Sequence, residues 1–560
     1  MRGLKVRIFH VTVATYLTFA VLTGIRIPVR NINDNIHYAN IDYPVNEIMK
    51  IKLTKYKDIA DSVKTTKELK INYNQIDKET LNKIEYSTLK YEEFPTDEKI
   101  EFKIPKEYSK VKGVTCFRGN NYRNTASYGT ADIKEKRLEI VWDIGIGSID
   151  RWTGVGWNGQ PAIIQWPKEH VNRMNIKSSK KNNRNLKEVI YGALDGKVYF
   201  IDLEDGTYTR NPIQIPGPIK GSVTVDTRGI PLLYVGQGIN KVNGRWVKTG
   251  YRIFNLIDQT KLFFINGIDT FAYRGWPAFD STALIDKDTD TLLICGENGL
   301  FYRVKLNTQY DENILSIEPE IMKYRYRIAG NRYQGIENSV AVYKNLAFFA
   351  DNGGWLQCLD INTFEPIWIR KVTDDTDSTI VLEEEQDIVA LYTACEVDKQ
   401  GSIGYSYVRK IDALSGKLIW EKKYKCHSII GNHPNNGGVL ATPVVGKGNI
   451  KDIIVFNIAR YGGLNNGVLV ALNKDSGEEV WRINLKNYSW SSPVAIYTDK
   501  GEGYIVFCDS AGYMYLINGK EGEILHKIDL GANVEGSPAV FENMIVVGTR
   551  GQKIYGIRIN

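Results

Sequence analysis

Short apolar runs separated by glycine-rich polar turns recur along most of the 560-residue chain. The pattern is clearest in residues 468–481, where Val-Leu-Val-Ala-Leu is followed by Asn-Lys-Asp-Ser-Gly and then by a second run that ends in Trp481. Residues 407–420 repeat this arrangement and end in Trp420. β-Branched and aromatic residues on both sides of an Asx-Ser-Gly turn indicate a β-hairpin. Each copy therefore predicts the two outer strands of a small antiparallel sheet.

Longer copies show that the repeating unit contains four strands. One complete unit consists of the runs Ser492–Tyr497, Tyr504–Cys508, Tyr513–Ile517 and Glu523–Ile528. Second strands of this kind begin at eight places, which are Val189, Leu232, Leu292, Leu346, Ile388, Ile453, Tyr504 and Ile545. A period of roughly 40–50 residues with four short strands per unit is typical of propeller blades. The sequence therefore predicts an all-β fold, an eight-bladed β-propeller with four-stranded antiparallel blades.

The last unit shows only the two runs Ile545–Gly548 and Lys553–Ile559. Far upstream, Leu138–Trp142 looks like a fourth strand and Gln160–Ile164 looks like an innermost strand. We expect both to pair with the 545–559 hairpin, because closing the ring would remove exposed sheet edges. The propeller is thus expected to span residues 111–560.

These repeats resemble those of the pyrroloquinoline-quinone-like propeller superfamily. The resemblance covers about residues 111–560 and is strongest at Lys410–Trp420, Ala471–Trp481 and Tyr513–His526. The run Thr115–Asn120, followed by Arg123, also looks like the Phe-Arg-Gly segment that often precedes the first blade in this superfamily. The superfamily includes quinoprotein dehydrogenases and lipoprotein propellers that help assemble outer-membrane proteins. The resemblance implies a fold, whereas a shared fold does not carry a function with it.

An apolar stretch near the N-terminus, Ile8–Val29, follows three basic residues. A length of about 20 residues suits one membrane span, and the preceding positive charge favours a cytoplasmic N-terminus with the propeller outside. A cleaved signal peptide is the alternative, although the small-x-small site around Ala20–Gly24 is poorly formed. Residues 1–30 are therefore expected to be an anchor or signal segment, and residues 31–110, which lack the repeat, a stalk or linker.

Composition adds two constraints. The net charge of +7 is small beside 72 basic and 65 acidic residues, so it gives mild support for an anionic partner and none for nucleic acid. The six cysteines are widely spaced and lie mostly in apolar strand contexts. Buried thiols are the first expectation, and a Cys395–Cys426 disulfide is the alternative in an oxidising compartment.

Propeller topology predicts where a site would form. The loops that lead into each innermost strand and those that join the second and third strands share one face, called here the upper face. Aromatic rings stack on sugar or quinone faces, while guanidinium and amide groups fix orientation. We expect ligand contacts from Asp150, Trp152, Trp157, Arg274, Trp276, Arg332, Tyr333, Glu337, Asn338 and Trp490. The alternative is that several of these tryptophans pack between blades, as we expect of Trp142, Trp420 and Trp481.

No linear motif indicates catalysis. The sequence has no adjacent cysteine pair, no Cys-x-x-Cys-His, no His-Glu-x-x-His and no Gly-x-Ser-x-Gly. The run Asp374–Asp377 is either a cation site at the mouth or a solvated turn. We therefore expect no catalytic or metal-binding residues and no cofactor.

These observations predict a non-catalytic extracytoplasmic propeller that is held to the cytoplasmic membrane by a single-pass anchor and binds a ligand or partner of the cell envelope, such as an envelope protein or a glycan. The alternative, implied by the resemblance to quinoprotein dehydrogenases, is an oxidoreductase that depends on pyrroloquinoline quinone (PQQ) or a metal, with calcium beside the quinone.

Overall fold

The computed structural model describes residues 29–30, 36–37, 69–71, 73–89, 98–157, 159–183, 185–311, 314–431 and 434–560. The chain divides into two compact units, Met1–Glu68 and Leu69–Asn560. In the first, the described strands Val29–Arg30 and Ile36–His37 pair antiparallel. The expected membrane span Ile8–Val29 lies almost entirely outside the described residues. Among the residues that are described, no helix has the length and apolar character of a membrane span.

The second unit is an eight-bladed β-propeller, as predicted, and each blade contains four antiparallel strands. From the innermost strand outward, blade 1 consists of Ala162–Gln165, Lys187–Gly192, Lys197–Asp202 and Ile213–Gln214, and blade 2 of Thr224–Val225, Leu232–Val235, Gly250–Asn255 and Lys261–Asn266. Blade 3 consists of Leu284–Asp286, Thr291–Cys295, Leu300–Lys305 and Glu320–Ile328, and blade 4 of Ala341–Tyr343, Leu346–Ala350, Trp355–Asp360 and Pro366–Lys371.

Blade 5 consists of Val381–Glu384, Val389–Ala394, Ile403–Asp412 and Leu418–His427, and blade 6 of Val444–Val445, Ile453–Ala459, Gly467–Asn473 and Glu479–Leu485. Blade 7 consists of Val494–Tyr497, Gly503–Cys508, Tyr513–Asn518 and Ile524–Asp529, and blade 8 of Ala539–Phe541, Met544–Thr549, Lys553–Ile559 and Leu138–Gly145. The further described strands are Ile84–Leu89, Lys112–Val114, Ser127–Tyr128, Ser148–Ile149, Trp152–Thr153, Lys241–Val242, Arg245–Trp246, Gln309–Tyr310, Leu315–Ser316, Glu396–Val397 and Gly437–Gly438. Short helices occupy Tyr73–Gln75, Lys78–Leu81, Pro105–Glu107, Lys168–Arg173, Ser178–Lys181 and Gly448–Ile450.

The ring closes partly as expected. Leu138–Gly145 is the outermost strand of blade 8 and pairs with Lys553–Ile559, which confirms half of the prediction. The other half is wrong, because the 160–164 run belongs to blade 1, where Ala162–Gln165 pairs with Lys187–Gly192. Blade 8 takes its innermost strand from Ala539–Phe541 instead. A three-residue strand is too short for its hydrophobic pattern to be recognised in the sequence.

The tryptophan and glycine of the repeat join neighbouring blades. Trp420 of blade 5 donates its indole N–H to the carbonyl oxygen of Lys474 in blade 6 at 2.8 Å. Its ring lies against Gly477, whose φ of +70° places it in the left-handed region. The same arrangement recurs for Trp142 with Gly206, Trp368 with Gly416 and Trp481 with Gly522. The expectation that Trp142, Trp420 and Trp481 pack between blades is thus confirmed.

A belt of hydroxyl groups links the blades around the axis. Each hydroxyl precedes an innermost strand and accepts a hydrogen bond from a backbone N–H of the preceding blade, as Ser339 does from Thr282 at 2.9 Å. The other acceptors are Ser222, Thr379, Thr442, Ser492 and Ser537. The loops of the upper face therefore start from positions held fixed relative to one another.

The Phe-Arg-Gly segment ties several blades together from within. Arg118 and Arg123 are fully buried, and both donate to backbone carbonyls just before innermost strands. Arg118 reaches blades 7 and 6, and Arg123 reaches blades 4 and 3, through the carbonyls of Pro493, Pro443, Val340 and Thr282. Burying two guanidinium groups is tolerated because carbonyl oxygens accept hydrogen bonds from most of their N–H groups.

Part of the segment expected to be a stalk is packed on the propeller. Ile84–Leu89 adds a fifth strand to the outer edge of blade 3 by pairing with Glu320–Ile328. Ile100, Phe102 and Tyr108 are buried in a core cluster with side chains of blades 3 and 4. The described residues from 69 onward therefore belong to the same compact unit as the blades.

Apolar clusters fill the spaces between neighbouring blades and contain five of the six cysteines, all except Cys395. All six thiols are buried and free in the described chain, so the expectation of buried thiols is confirmed. The alternative disulfide between Cys395 and Cys426 is not formed.

Candidate functional site

Three tryptophans that are far apart in sequence meet at the upper face. The ring of Trp157 lies 6.0 Å from that of Trp152 and 6.1 Å from that of Trp490, in edge-to-face geometry. Trp157 has a φ of 55°, which is costly for a bulky residue. Its buried indole N–H has no hydrogen-bond partner among the described residues. Backbone strain together with an unpaired donor is typical of residues kept for binding rather than for packing.

A buried lysine lies beside these rings. Lys220 Nζ is 4.4 Å from the ring centre of Trp157 and 3.2 Å from a carboxylate oxygen of Asp280. Burial opposes the charge of Lys220, but the surrounding carboxylates, Asp280 first, outweigh it and raise its pKa. The lysine is therefore charged and within cation–π range of an aromatic face. Lys220 was not among the residues predicted to bind a ligand. The only feature of the sequence that pointed to it was its position in an upper-face loop.

Six carboxyl groups lie near the axis in two groups of three, and within each group one oxygen per residue lies within 4.8 Å of the others. The groups are Asp280, Glu297 and Glu337, and Asp375, Asp377 and Glu396. Burial raises the pKa of Asp280 to about 6. Burial, followed by repulsion from neighbouring carboxylates, raises the pKa of Glu297 and of the whole second group well above the ordinary range.

Buried carboxylates at this spacing need neutralisation by shared protons or by a cation. In five of the six residues, one carboxylate oxygen is buried without a hydrogen-bond partner in the described part of the chain, namely in Asp280, Glu297, Asp375, Asp377 and Glu396. Lys220 partly offsets the first group, and Lys399 Nζ lies 3.5 Å from Asp375 in the second.

The run Asp374–Asp377 is not the solvated turn that was one of the two expectations. Asp374 and Asp375 are only 1% and 8% exposed. Asp374 accepts hydrogen bonds from the backbone N–H groups of Asp398 and Lys399, both at 3.0 Å, which fixes the loop after the second strand of blade 5. Asp375 is left facing the carboxyl groups of Asp377 and Glu396.

The size and the lining of the axial cavity show whether a quinone or a calcium ion would fit there. The axial cavity measures about 40 Å³, which is room for about three water molecules. A tricyclic quinone that carries three carboxylates does not fit a cavity of this size lined by Asp280, Glu337 and Asp377. Calcium prefers carboxylate oxygens, so the residues do fit such an ion. Asp375, Asp377 and Glu396 would hold it, and it would neutralise their charge.

The remaining predicted residues are spread over the upper face. Arg274 lies against Gly335 with its Nη1 buried, and Glu337 accepts a hydrogen bond from Asn352 at 2.7 Å. Arg332 and Tyr333 are exposed.

Asn338 is 1% exposed and holds the backbone. Its side-chain amide donates to the carbonyl oxygens of Ala350 and Thr376, and its carbonyl accepts from the N–H of Ala350. Because both donors are used between blades 4 and 5, Asn338 positions the loop that carries Glu337. Its side-chain amide therefore has no free N–H to donate to a ligand.

Asp150, Trp152 and Trp276 border one slot of about 360 Å³ at the outer side of the mouth. The structure thus brings together Trp152, Trp157, Trp276 and Trp490, which we call the aromatic mouth. Three of the carboxyl groups, Asp280, Glu297 and Glu396, were not predicted from the sequence. Glu297 and Glu396 follow the second strands of blades 3 and 5, where the sequence shows only isolated acidic residues.

Comparisons with known proteins agree with this architecture. A family model described as outer membrane protein assembly factor BamB matches residues 465–560. The outer membrane protein assembly factor BamB of Legionella pneumophila (strain Paris) is 22% identical over 220 residues, which are 38% of this chain and 49% of that protein. The chain therefore spans about half the length of this relative.

Solved structures share the fold at low identity. The quinohemoprotein alcohol dehydrogenase from Comamonas testosteroni has a TM-score of 0.52 at 12% identity, covering 80% of each chain. The quinohemoprotein alcohol dehydrogenase ADHIIG from Pseudomonas putida HK5 has a TM-score of 0.53 at 11% identity, again covering 80% of each chain. Likeness at this identity shows the fold alone. Together with the family match over residues 465–560, it confirms the resemblance of the repeats to those of pyrroloquinoline-quinone-like propellers.

Proposed function

We propose that the protein is a non-catalytic propeller of the cell envelope that binds a ligand or a protein partner at the aromatic mouth. The observation that carries the proposal is the contact of Trp152, Trp157 and Trp490 beside the charged Lys220. Of the three, Trp157 is partly exposed and keeps an unpaired indole N–H, and an aromatic side chain with a free donor at a rigid surface is typical of binding hot spots. The belt of hydroxyl groups holds the loops that carry them, so little conformational entropy is lost on binding.

The envelope location is supported by the family match over residues 465–560, whose description is an outer-membrane assembly factor. The proposed anchor is Ile8–Val29 in the cytoplasmic membrane, with the propeller outside. Cell fractionation with added protease tests this arrangement. The protein should be recovered with membranes and its propeller should be digested from outside, whereas recovery of the full-length chain in the cytoplasm would contradict the anchor.

A binding role agrees better with the mouth than oxidoreductase chemistry does. The six thiols are buried, and the axial cavity of about 40 Å³ is too small for a quinone. The carboxyl groups near the axis fit a hard cation. They therefore support a metal-dependent oxidoreductase as the second candidate function.

The experiment compares copurification of envelope proteins by the full chain and its variants. Trp276→Ala and Arg332→Ala should weaken partner binding about tenfold or more, since removing an aromatic or arginine hot spot costs about 2 kcal/mol. Glu478→Ala, in a turn of the opposite face, is the matched control and should bind as the parent does. If the control lost the partner while both upper-face variants kept it, the proposed site would be wrong.

A further inference from the structure

A short hairpin at the edge of the aromatic mouth displays a tryptophan to solvent. Lys241–Val242 pairs with Arg245–Trp246, with Lys241 opposite Trp246. The turn residues Asn243 and Gly244 have φ values of 47° and 75°, which match the rigid two-residue turn preferred in hairpins. Trp246 is 75% exposed, whereas Val242 is 6% exposed and anchors the hairpin.

A second hairpin faces the first and is tied to it. Ser148–Ile149 pairs with Trp152–Thr153, and Asp150 at its tip has a φ of 56°. The Asp150 carboxylate accepts a hydrogen bond from the backbone N–H of Asn243 at 3.2 Å. The two hairpin tips are thus held in a fixed arrangement before any ligand arrives.

The slot of about 360 Å³ opens beside these two hairpins and combines rings with positive charge. It is lined by Asp150, Arg151, Trp152, Ile239, Asn240, Lys241, Gly244 and Trp276. Arg151 Cζ lies 5.5 Å from the ring centre of Trp152, and Lys241 Nζ lies 5.8 Å from that of Trp246. Two exposed cations, Arg151 and Lys241, line the slot with one exposed carboxylate, Asp150, and Arg245 of the same hairpin as Lys241 is also exposed. The slot therefore carries a net positive charge.

From this geometry we propose that the slot binds a carbohydrate that carries carboxylate groups; the proposal rests on the binding function argued above and names its ligand class. A sugar ring has an apolar C–H face that stacks on an indole and a rim of hydroxyl groups. Asp150 and Asn240 supply the polar contacts for that rim. Arg151 and Lys241 supply the charge that recognises an acidic substituent.

A peptide partner is less well matched to this slot. Ile239 is the one aliphatic side chain among the residues described around it, so an apolar peptide side chain would find no pocket. The exposed indole of Trp246 and the exposed cations instead match a flat, polar, anionic ligand, and the fixed hairpins match a ligand that does not require induced fit.

The test is calorimetric titration of the purified full-length protein with hexagalacturonate and with maltohexaose, a neutral sugar of the same length. The acidic sugar should bind at least about tenfold more tightly than the neutral one, and added salt should weaken it because exposed charges are screened. Trp246→Ala and Arg151→Ala should each lower the affinity about tenfold. The matched control is Trp355→Ala, another partly exposed tryptophan with a lysine Nζ 5.5 Å from its ring centre, in blade 4, which should bind as the parent does.

Three results would overturn the proposal. They are undetectable binding of hexagalacturonate, unchanged affinity in Trp246→Ala, and equally tight binding of hexa-aspartate, which would show attraction by charge alone. Unchanged melting temperatures in the variants would show that each affinity loss is local. If hexagalacturonate did not bind but Arg332→Ala still lost its envelope partner, the slot proposal would fail and the proposed function would stand.

Discussion

The indole of Trp420 in blade 5 lies flat against Gly477 in blade 6, so closely that a Cβ on the glycine would come within 2.8 Å of the ring. The glycine also needs its φ of +70°, which other residues adopt at a cost. One residue pair therefore satisfies the turn and the contact between blades together, and its recurrence explains why the sequence repeats tryptophan and glycine.

Gly477→Ala should destabilise the propeller by about 2–3 kcal/mol, because it adds a clash to an unfavourable φ. Urea unfolding monitored by fluorescence measures the loss. Gly531→Ala is the matched control, since Gly531 has a φ of +79° and no described atom lies within 4 Å of its added Cβ. The control should lose only about 1 kcal/mol. Equal losses in the two variants would show that the tryptophan contact contributes nothing.

Trp142→Ala should weaken ring closure, because Trp142 joins blade 8 to blade 1 through the carbonyl oxygen of Leu203 at 2.8 Å. The expected cost is about 3–5 kcal/mol. Hydrogen exchange should then speed up first in Leu138–Gly145 and Lys553–Ile559, while Pro366–Lys371 in blade 4 keeps its protection. Uniform loss of protection in all blades would contradict closure at this seam.

Stability should fall as the pH rises from about 4 to 8. Burial raises the pKa of Asp280 to about 6 and that of Asp351 to about 7, whereas an unfolded aspartate titrates near about 3.9. Between these values the folded state binds more protons than the unfolded state, so each unit of pH increase favours unfolding. Melting temperatures at pH 5 and pH 8 measure the effect.

The variant Asp351→Asn should show a shallower decrease between the same two pH values, even if its stability is lower at both. Asp132→Asn, at an exposed carboxylate, should keep the parent slope. A melting temperature that is higher at pH 8 than at pH 5 would show that the buried carboxyl groups do not dominate.

Addition of PQQ and calcium should produce no quinone absorbance bound to the protein and no oxidation of alcohols or aldoses, because the axial cavity of about 40 Å³ does not admit the quinone. Equilibrium dialysis followed by an absorbance spectrum measures binding, and a dye-linked assay measures turnover. A stoichiometric quinone spectrum would instead favour the oxidoreductase alternative.

Much of the fold could be read from the sequence because its determinants are local. Alternating strands around an Asx-Ser-Gly turn, such as those that end at Trp420 and Trp481, specify a hairpin within about 15 residues. Counting these units predicted eight blades, and the match of Leu138–Trp142 to a fourth strand predicted half of the closure. The expectation failed for Ala539–Phe541, where three residues are too few to show a period.

Local patterns in the sequence specify the blade and the number of its copies, and they predict the face on which aromatic and charged loops lie. Which side chains meet there depends on how the blades pack around the axis. Asp280, Glu297 and Glu337 come from three separate turns, and Asp150 touches Asn243 through a loop from another blade. Such contacts depend on the closure of the ring, which brings loops that are distant in sequence to one axis. A local pattern of hydrophobic and polar residues carries no information on which distant loops become neighbours.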